Sequence, residues 1–262
     1  MHRKLHLHRS ERLRSHSTGG LLPLAAPIQP AMTFQTHSRA LNYLAVAVIT
    51  ALIVVVFYHF VDLPVARYLK AVQTESVSDI FDIIDQLGTS EIYLIPALLL
   101  YVWSLVAVRQ GWRPPCGLDF AWMTRASLFL MLTMAAGGIV TALLKNVVAR
   151  ARPELLIEQG IYGLATPFTA LSKHNSFPSS HTQAAFAAAW VFALLAPRWR
   201  WIFLAAATSV AAARVVNLDH YLSDVIAASV IAGLAAFVLA PLIMAPDQTW
   251  PLRTPWRWGR KA

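Results

Sequence analysis

Long runs of apolar residues alternate along this chain with short segments that carry almost all of its charge. Four of the runs approach or exceed the roughly 20 residues that a helix needs to cross the hydrocarbon core of a bilayer. We predict membrane-spanning helices at these four positions: 40–61, 92–108, 126–144 and 225–245.

Two further runs, 182–197 and 201–213, are shorter. Each crosses the bilayer only if its flanking polar residues also enter the membrane region, and the alternative is a re-entrant pair of helices. Two arginines and two tryptophans separate the runs, in the order Arg198, Trp199, Arg200 and Trp201. Aromatic residues beside positive charges are typical of a turn at the membrane interface. We therefore predict two true spans, and an all-α, polytopic membrane helical bundle of six transmembrane helices.

The composition supports a membrane protein. Hydrophobic residues make up 57% of the 262 positions and charged residues 13%, and the mean hydropathy is +0.52. Water-soluble domains carry about 25% charged residues, so the composition argues against an ordinary cytosolic enzyme and against a disordered chain. Cys116 is the only cysteine, which rules out an intrachain disulfide and a cluster of thiol metal ligands.

The net charge of +9, from 22 basic and 13 acidic residues, raises the alternative of a nucleic-acid partner. The basic residues lie between apolar runs instead of on one polar domain, so we expect no nucleic-acid partner. If the N-terminus is cytoplasmic, 15 of the 22 basic residues fall on the cytoplasmic side, in line with the positive-inside rule. We predict an integral protein of a bacterial inner (plasma) membrane with both termini in the cytoplasm.

The outermost spans divide the chain into three parts. Residues 1–39 are predicted to be a basic, disordered cytoplasmic arm, residues 40–245 one domain with six spans, and residues 246–262 a basic cytoplasmic tail. Residues 79–87 interleave isoleucines with aspartates at helical spacing. This pattern indicates a short amphipathic helix on the outer surface, between the first two spans.

Three basic residues on the predicted outer side lie at the ends of spans: Lys145, Arg152 and Arg214. A charge at such a position is costly unless it is paired or hydrated. Each one alone is explained by a long side chain that reaches the interface. Lys145 and Arg152 share a helical face if the helix continues to residue 151, and Pro153 then ends that helix.

Two more outer segments carry hydroxyls, imidazoles and a carboxylate. A proline followed by Ser179 and Ser180 indicates a helix start directly before His181, with either serine as the cap. The free N–H groups of a helix start favour an anion. In the next segment Asp224 follows His220 by four residues, one turn along a helical face.

On the predicted topology these three segments reach the same side of the membrane. They supply three cations, serine hydroxyls, a helix N-terminus, two histidines and a carboxylate. Two imidazoles suit a displacement at phosphorus, because one attacks while the other protonates the leaving oxygen. The sequence therefore predicts a phosphate site with acid–base groups; the alternative for His220 is an interfacial histidine capped by a nearby acid.

In this order and at these spacings, the residues resemble the three-part signature of the type 2 phosphatidic acid phosphatase (PAP2) superfamily. The matching positions are Lys145, Arg152 and Pro153, then Pro178-Ser179-Ser180-His181, then Arg214, His220 and Asp224. The six-span plan resembles the membrane branch of the family, with a PAP2/haloperoxidase-like core. Two positions depart from the family pattern, since Ser180 stands where glycine is usual and Ala213 where serine is usual.

The resemblance implies a role for each matching residue. His220 is the nucleophile that forms a phosphohistidine, Asp224 orients His220, and His181 is the general acid toward the leaving group. The remaining residues bind the substrate phosphate: Lys145, Arg152, Ser179, Ser180 and Arg214. The resemblance also implies a reaction that needs no metal and no cofactor.

We therefore expect residues 40–245 to be a PAP2-like phosphatase domain that hydrolyses a lipid phosphate or diphosphate at the outer (periplasmic or extracellular) face of the membrane. A site at the membrane rim receives the head group while the tail stays among the membrane lipids. By resemblance the candidates are phosphatidic acid, undecaprenyl diphosphate, phosphatidylglycerol phosphate and lipid A phosphates. The alternatives are an anion or lipid-phosphate transporter or binding protein without hydrolysis, and, more weakly, a vanadate haloperoxidase-like enzyme.

Overall fold

The computed structural model describes residues 31–112, 119–168 and 173–244, with side chains from residue 39 onward. The predictions for residues 1–30 of the basic arm and for the basic tail at 246–262 lie outside the described residues. The described residues divide after position 40 into two compact units, and the second unit holds all the predicted site residues.

The described residues fold into α-helices joined by short turns, with no named strand among them. The α-helices of this part of the chain are α1 (Ala31–Phe60), α2 (Asp62–Val72), α3 (Glu75–Asp85), α4 (Glu91–Arg109), α5 (Phe120–Val148), α6 (Pro153–Gln159), α7 (Ser180–Leu195), α8 (Arg200–Val216) and α9 (Leu222–Met244). Two 3-10 turns, Gln86–Gly88 and Pro197–Trp199, precede α4 and α8. The prediction of an all-α fold is confirmed, and α3 is the predicted amphipathic helix.

Five helical stretches of the described chain are long and apolar enough to cross a membrane: Arg39–Phe60, Glu75–Arg109, Phe120–Val148, Pro197–Val216 and Leu222–Met244. They coincide with five of the six predicted spans and make the chain an integral membrane protein. The sixth predicted span corresponds to α7, which has 16 residues. Since a crossing takes roughly 20 residues, the count of six spans stays a prediction.

Helix α7 lies at the centre of the core, where it packs against α5, α8 and α9. Small residues make this packing close: Ala187 and Ala188 on α7 and Ala232 on α9 are buried. A Cβ atom at Gly137 of α5 would clash with the Gln183 Nε2 on α7, so a larger residue there would have to displace the end of the Gln183 side chain. Small residues let helix backbones come together in membrane bundles. The packing brings the N-termini of α7 and α9 close to the C-terminus of α5.

Helix α5 ends before residue 151. It stops at Val148, and Ala149 adopts a left-handed conformation with φ 45°. Arg152 is extended and directly precedes Pro153, the first residue of α6. The helical conformation is disfavoured for a residue before proline, which accounts for the extended Arg152. The condition for a common helical face of Lys145 and Arg152, a helix that continues to residue 151, is therefore not met.

Helix α1 begins at Ala31, so its first nine residues lie in the segment that the sequence assigned to the disordered arm. Pro30 precedes this start, and residues 31–39 contain no proline or glycine. A helix propagates readily from an established span until such a residue interrupts it. The arm prediction is therefore wrong for residues 31–39.

Candidate active site

Backbone hydrogen bonds join the predicted segments at the ends of the core helices. The Ser176 N–H donates to the Arg150 carbonyl oxygen at 3.1 Å. The Ser179 N–H donates to the Asp224 carbonyl oxygen at 3.3 Å. The loop before α7 is thus bonded both to the segment after α5 and to the first turn of α9, which places the three segments around one site.

Lys145 and Arg152 meet at Asn175, although they do not lie on one helix. The Lys145 Nζ donates to the Asn175 carbonyl oxygen at 2.6 Å, and the Arg152 Nε donates to the Asn175 Oδ1 at 2.8 Å. Burial and then the nearby charge of Arg214 lower the pKa of Arg152. Cations that repel each other in a half-buried site are stabilised by an anion bound between them.

The serines at the start of α7 have different surroundings. Ser179 is buried and is the N-cap, as predicted, because its Oγ accepts a hydrogen bond from the Thr182 N–H at 3.4 Å. Ser180 is the first helical residue and its side chain is exposed. The N–H groups in the first turn of a helix lack helical acceptors, so this end of α7 presents donors to an anion.

His220 is buried in the turn before α9, with 3% of its surface exposed. It does not lie on the helix with Asp224, contrary to the prediction, because α9 begins only at Leu222. Its Nδ1 nevertheless faces the Asp224 Oδ2 at 3.6 Å. Burial lowers the pKa of His220 to about 4, with Asp224 opposing the shift. The imidazole is therefore neutral at pH 7, the form that a nucleophile requires.

The Asp224 carboxylate is held by four hydrogen bonds or close contacts. Its Oδ1 accepts from the Arg150 Nη1 at 2.7 Å. Its Oδ2 accepts from the Ser176 Oγ at 2.6 Å and from the Tyr221 N–H at 2.9 Å, and the same oxygen faces His220. Donors to both oxygens favour the ionised carboxylate and fix its orientation.

Arg214 and His181 are joined by an acid from α3. The Asp85 Oδ2 lies 2.6 Å from the Arg214 Nη1 and 3.8 Å from the His181 Nε2. Arg214 also pairs with Asp219 at 3.1 Å, and its carbonyl oxygen accepts from the His220 N–H at 3.0 Å. Arg214 therefore links the two histidines, with His181 on one side and His220 on the other.

Five residues of this arrangement were not among the predicted site residues: Asp62, Asp85, Arg150, Asn175 and Ser176. Arg150 lies inside the first signature segment, and Asn175 and Ser176 lie just before the second, so these positions were the available signal. Asp62 and Asp85 come from α2 and α3, and nothing in the local sequence separates Asp85 from the other aspartates of its amphipathic helix.

The site combines basic side chains with acids that pair with them. In the described part of the chain, no group of three histidine, cysteine, aspartate or glutamate side chains is placed to hold a metal ion. Lysine and arginine side chains, such as Lys145, Arg152 and Arg214, are groups that can neutralise a phosphate.

The model of the PAP2 superfamily matches residues 126–246, a range that contains all three signature segments. Residues 126–246 belong to the PAP2 superfamily. The family resemblance drawn from the spacing of Lys145, Arg152, His181, Arg214 and His220 is thereby confirmed.

Two curated relatives support the same family. A lipid A 1-phosphatase from Rhizobium etli is 38% identical over 132 residues, which cover 47% of this chain and 56% of that protein. A lipid A 1-phosphatase from Rhizobium johnstonii is 38% identical over 132 residues, covering 47% of this chain and 53% of that protein. The chain thus spans only about half the length of these relatives.

The fold also matches a solved PAP2 structure. The crystal structure of a transmembrane PAP2-type phosphatidylglycerolphosphate phosphatase from Bacillus subtilis aligns with a TM-score of 0.56 and 16% identity. The alignment covers 80% of this chain and 98% of that one. At this identity the likeness concerns the fold alone.

Proposed function

We propose that this protein is a metal-independent membrane phosphatase that hydrolyses a lipid phosphate through a phosphohistidine at His220. One observation carries the proposal: a buried, neutral His220 faces the clamped carboxylate of Asp224 beside a cluster of cations. A binding protein or a transporter needs the cations, but it does not need an unprotonated imidazole held against an acid.

In the first step the Nε2 lone pair of His220 attacks phosphorus. The Nδ1 of His220 faces the Asp224 Oδ2 at 3.6 Å, and a small approach would form the hydrogen bond that fixes the Nδ1–H tautomer and stabilises the positive charge developing on the ring. The bond from phosphorus to the lipid oxygen breaks, and His181 gives that oxygen a proton. The products are a phosphohistidine and a free lipid alcohol, or a lipid monophosphate if the substrate is a diphosphate.

In the second step water attacks the phosphohistidine. His181, now neutral, accepts the proton of the attacking water, the bond from phosphorus to Nε2 breaks, and inorganic phosphate leaves. Lys145, Arg152 and Arg214 neutralise the phosphoryl oxygens in both steps. The first-turn N–H groups and the serines of α7 bind the same oxygens.

The substrate proposed first is a lipid A 1-phosphate. The two Rhizobium relatives, 38% identical over 132 residues, are named as lipid A 1-phosphatases. The six-span domain at 40–245 would hold the site at the rim of a bacterial inner membrane, on the outer face, with both termini in the cytoplasm. The distribution of 15 of the 22 basic residues on the inner side supports this orientation.

The test uses purified protein in detergent with EDTA present, and measures inorganic phosphate released from lipid A 1-phosphate and from phosphatidic acid. We expect turnover by the wild type and a loss of at least about 10³-fold in His220→Ala, since the nucleophile is gone. His59→Ala is the matched control, because His59 is an exposed histidine at the end of α1.

Two results would contradict the proposal. Full activity of His220→Ala would remove the phosphohistidine mechanism, and a wild type that releases no phosphate from any lipid phosphate would remove the enzyme. Movement of a fluorescent lipid phosphate across vesicles without phosphate release would favour the transporter.

A further inference from the structure

Arg150 is a buried cation that has no role in the phosphate binding proposed above. Its surface is 1% exposed, and its guanidinium bridges two carboxylates from different helices. The Nη1 lies 2.7 Å from the Asp224 Oδ1, and the Nη2 lies 2.9 Å from the Asp62 Oδ2. Both terminal nitrogens, Nη1 and Nη2, are therefore paired with carboxylates, so they are not available to bind substrate.

Three tyrosine rings surround the same guanidinium. Its central carbon lies 4.1 Å from the ring centroid of Tyr221, 4.9 Å from that of Tyr58 and 5.7 Å from that of Tyr162. Aromatic faces attract a cation and exclude water from it. Burial opposes the charged form, but Asp224 and Asp62 outweigh burial and raise the pKa of Arg150. The guanidinium is a permanent, immobile charge.

Asp62 ties this cation to the helix that carries Asp224. The Ser223 N–H donates to the Asp62 Oδ1 at 3.0 Å, and the Ser223 Oγ donates to the Asp62 Oδ2. The Ser223 Oγ also accepts from the Arg150 Nη1 at 2.7 Å. Asp62 is the first residue of α2, so a residue 161 positions away in the sequence fixes the start of α9.

The formal charges explain why two carboxylates are present. Arg150 with Asp224 alone would be a neutral pair, and a neutral pair gives little stabilisation to a positive charge on His220. The second carboxylate, Asp62, neutralises Arg150 in its place. One negative charge then remains at Asp224, directed at His220, and it is balanced when the phosphohistidine forms.

We propose that Arg150 and Asp62 are positioning residues that hold Asp224 ionised and directed at the Nδ1 of His220. This inference rests on the proposed function, because it concerns the charge that His220 acquires during the reaction. Neither residue touches the substrate. They act through Asp224, so their loss should affect transition-state stabilisation and leave ground-state phosphate binding intact.

The test compares Asp62→Asn with the wild type by three measurements: kcat and KM for lipid A 1-phosphate, the inhibition constant of vanadate, and that of inorganic phosphate. Vanadate adopts the five-coordinate geometry of the transition state, whereas phosphate reports only the anion site. Asp62→Asn keeps the shape of the side chain and removes its charge.

We expect kcat to fall about 10- to 100-fold, which is the usual cost of losing a group that orients another. KM and the inhibition constant of inorganic phosphate should stay within about twofold of the wild-type values, because Lys145, Arg152 and Arg214 are unchanged. The vanadate constant should rise in parallel with the fall in kcat. Glu158→Gln is the matched control, since Glu158 is an exposed acid paired with Lys173 and should leave all values unchanged.

Arg150→Lys provides a second, independent variant. Lysine keeps the charge but lacks the two-armed geometry that reaches both carboxylates, so we expect the same selective loss of kcat and vanadate binding. If Asp62→Asn does not fold, Arg150→Lys decides the question in the same assays.

The proposal is wrong if Asp62→Asn has wild-type kcat and vanadate inhibition. It is also wrong if vanadate and phosphate binding weaken equally, because that pattern reports a general loss of site structure. Both results require an active wild type and an inactive His220→Ala, so they are distinct from a failure of the proposed phosphatase function.

Discussion

Asp85 occupies a nitrogen of Arg214 that the proposed mechanism assigns to a phosphate oxygen. The carboxylate lies 2.6 Å from the Arg214 Nη1, and its other oxygen is buried without a hydrogen-bond partner among the described residues. On the proposed mechanism, an incoming phosphate would have to displace this contact or accept a negative charge beside it. Asp85 would then reduce the affinity of the anion site.

We expect Asp85→Asn to lower KM for a lipid phosphate roughly 3- to 10-fold, because removing one nearby negative charge favours the anion by about 1 kcal/mol. Steady-state kinetics in detergent measure the change. Asp82→Asn is the control, since Asp82 lies on the same helix but contacts Asn217 at an exposed position. An unchanged or higher KM in Asp85→Asn would show that Asp85 does not compete with substrate.

At the residue scale, the sequence predicted the side chains that belong to short, regularly spaced motifs. Lys145, His181 and His220 could be found because each is defined by neighbours within a few positions. Asp62 and Asp85 could not, because their partners Ser223 and Arg214 are 161 and 129 positions away. Only the packing of α2 and α3 against the site reveals them.

At the scale of elements, the 3-10 turn Gln86–Gly88 supports His181. A Cβ atom at Gly88 would lie 2.7 Å from the His181 Cβ and 2.9 Å from the Val210 Cγ1. Both are closer than side-chain atoms pack, so any larger residue at position 88 must displace the start of α7 or the turn itself. The turn and α7 therefore fit only because the residue between them is glycine.

We predict that Gly88→Ala lowers kcat for a lipid phosphate by about tenfold or more, since overpacking by a methyl group costs about 1–3 kcal/mol and displaces the general acid. The loss should be smaller for p-nitrophenyl phosphate, whose leaving group needs no proton. The ratio of the two kcat values is the measurement. Gly138→Ala is the control, because the nearest atom to a Cβ there is 3.9 Å away. Equal losses on both substrates would contradict a specific effect on His181.

Hydropathy predicts the positions of the membrane spans, but it does not predict where the helices end. The apolar runs located five spans because a lipid-facing helix is apolar along its length. The ends of helices follow local backbone chemistry instead. Helix α5 stops at Val148, and Arg152 is extended because Pro153 follows it, so Lys145 and Arg152 have no common helical face. Their meeting point at Asn175 depends on the loop before α7.

At the scale of the whole molecule, the bundle buries His220, the proposed nucleophile, more deeply than a surface loop could. Small residues bring α5, α7 and α9 together, and the turn before α9 places His220 against Asp224 with 3% of its surface exposed. The family and the all-α architecture followed from sequence. The burial of His220 could not be predicted from the sequence. It results from packing between helices that are distant in the sequence, and the residues next to His220 do not indicate it.

This burial makes the stability of the fold depend on pH. The pKa of His220 is about 4 in the folded protein, against about 6.5 for an exposed histidine. Between pH 4 and pH 6.5 His220 is protonated in the unfolded state but not in the folded state. The free energy of unfolding therefore falls as the pH drops from 6.5 to 4. The free energy of unfolding that His220 alone removes is on the order of 3 kcal/mol at pH 4. His220→Gln cannot titrate, so its melting temperature in detergent should fall less than that of the wild type between pH 7 and pH 4.5. If the melting temperatures of the two proteins fell equally, the pKa of His220 would be the same in the folded and unfolded states. That result would contradict the proposal that His220 is a neutral nucleophile.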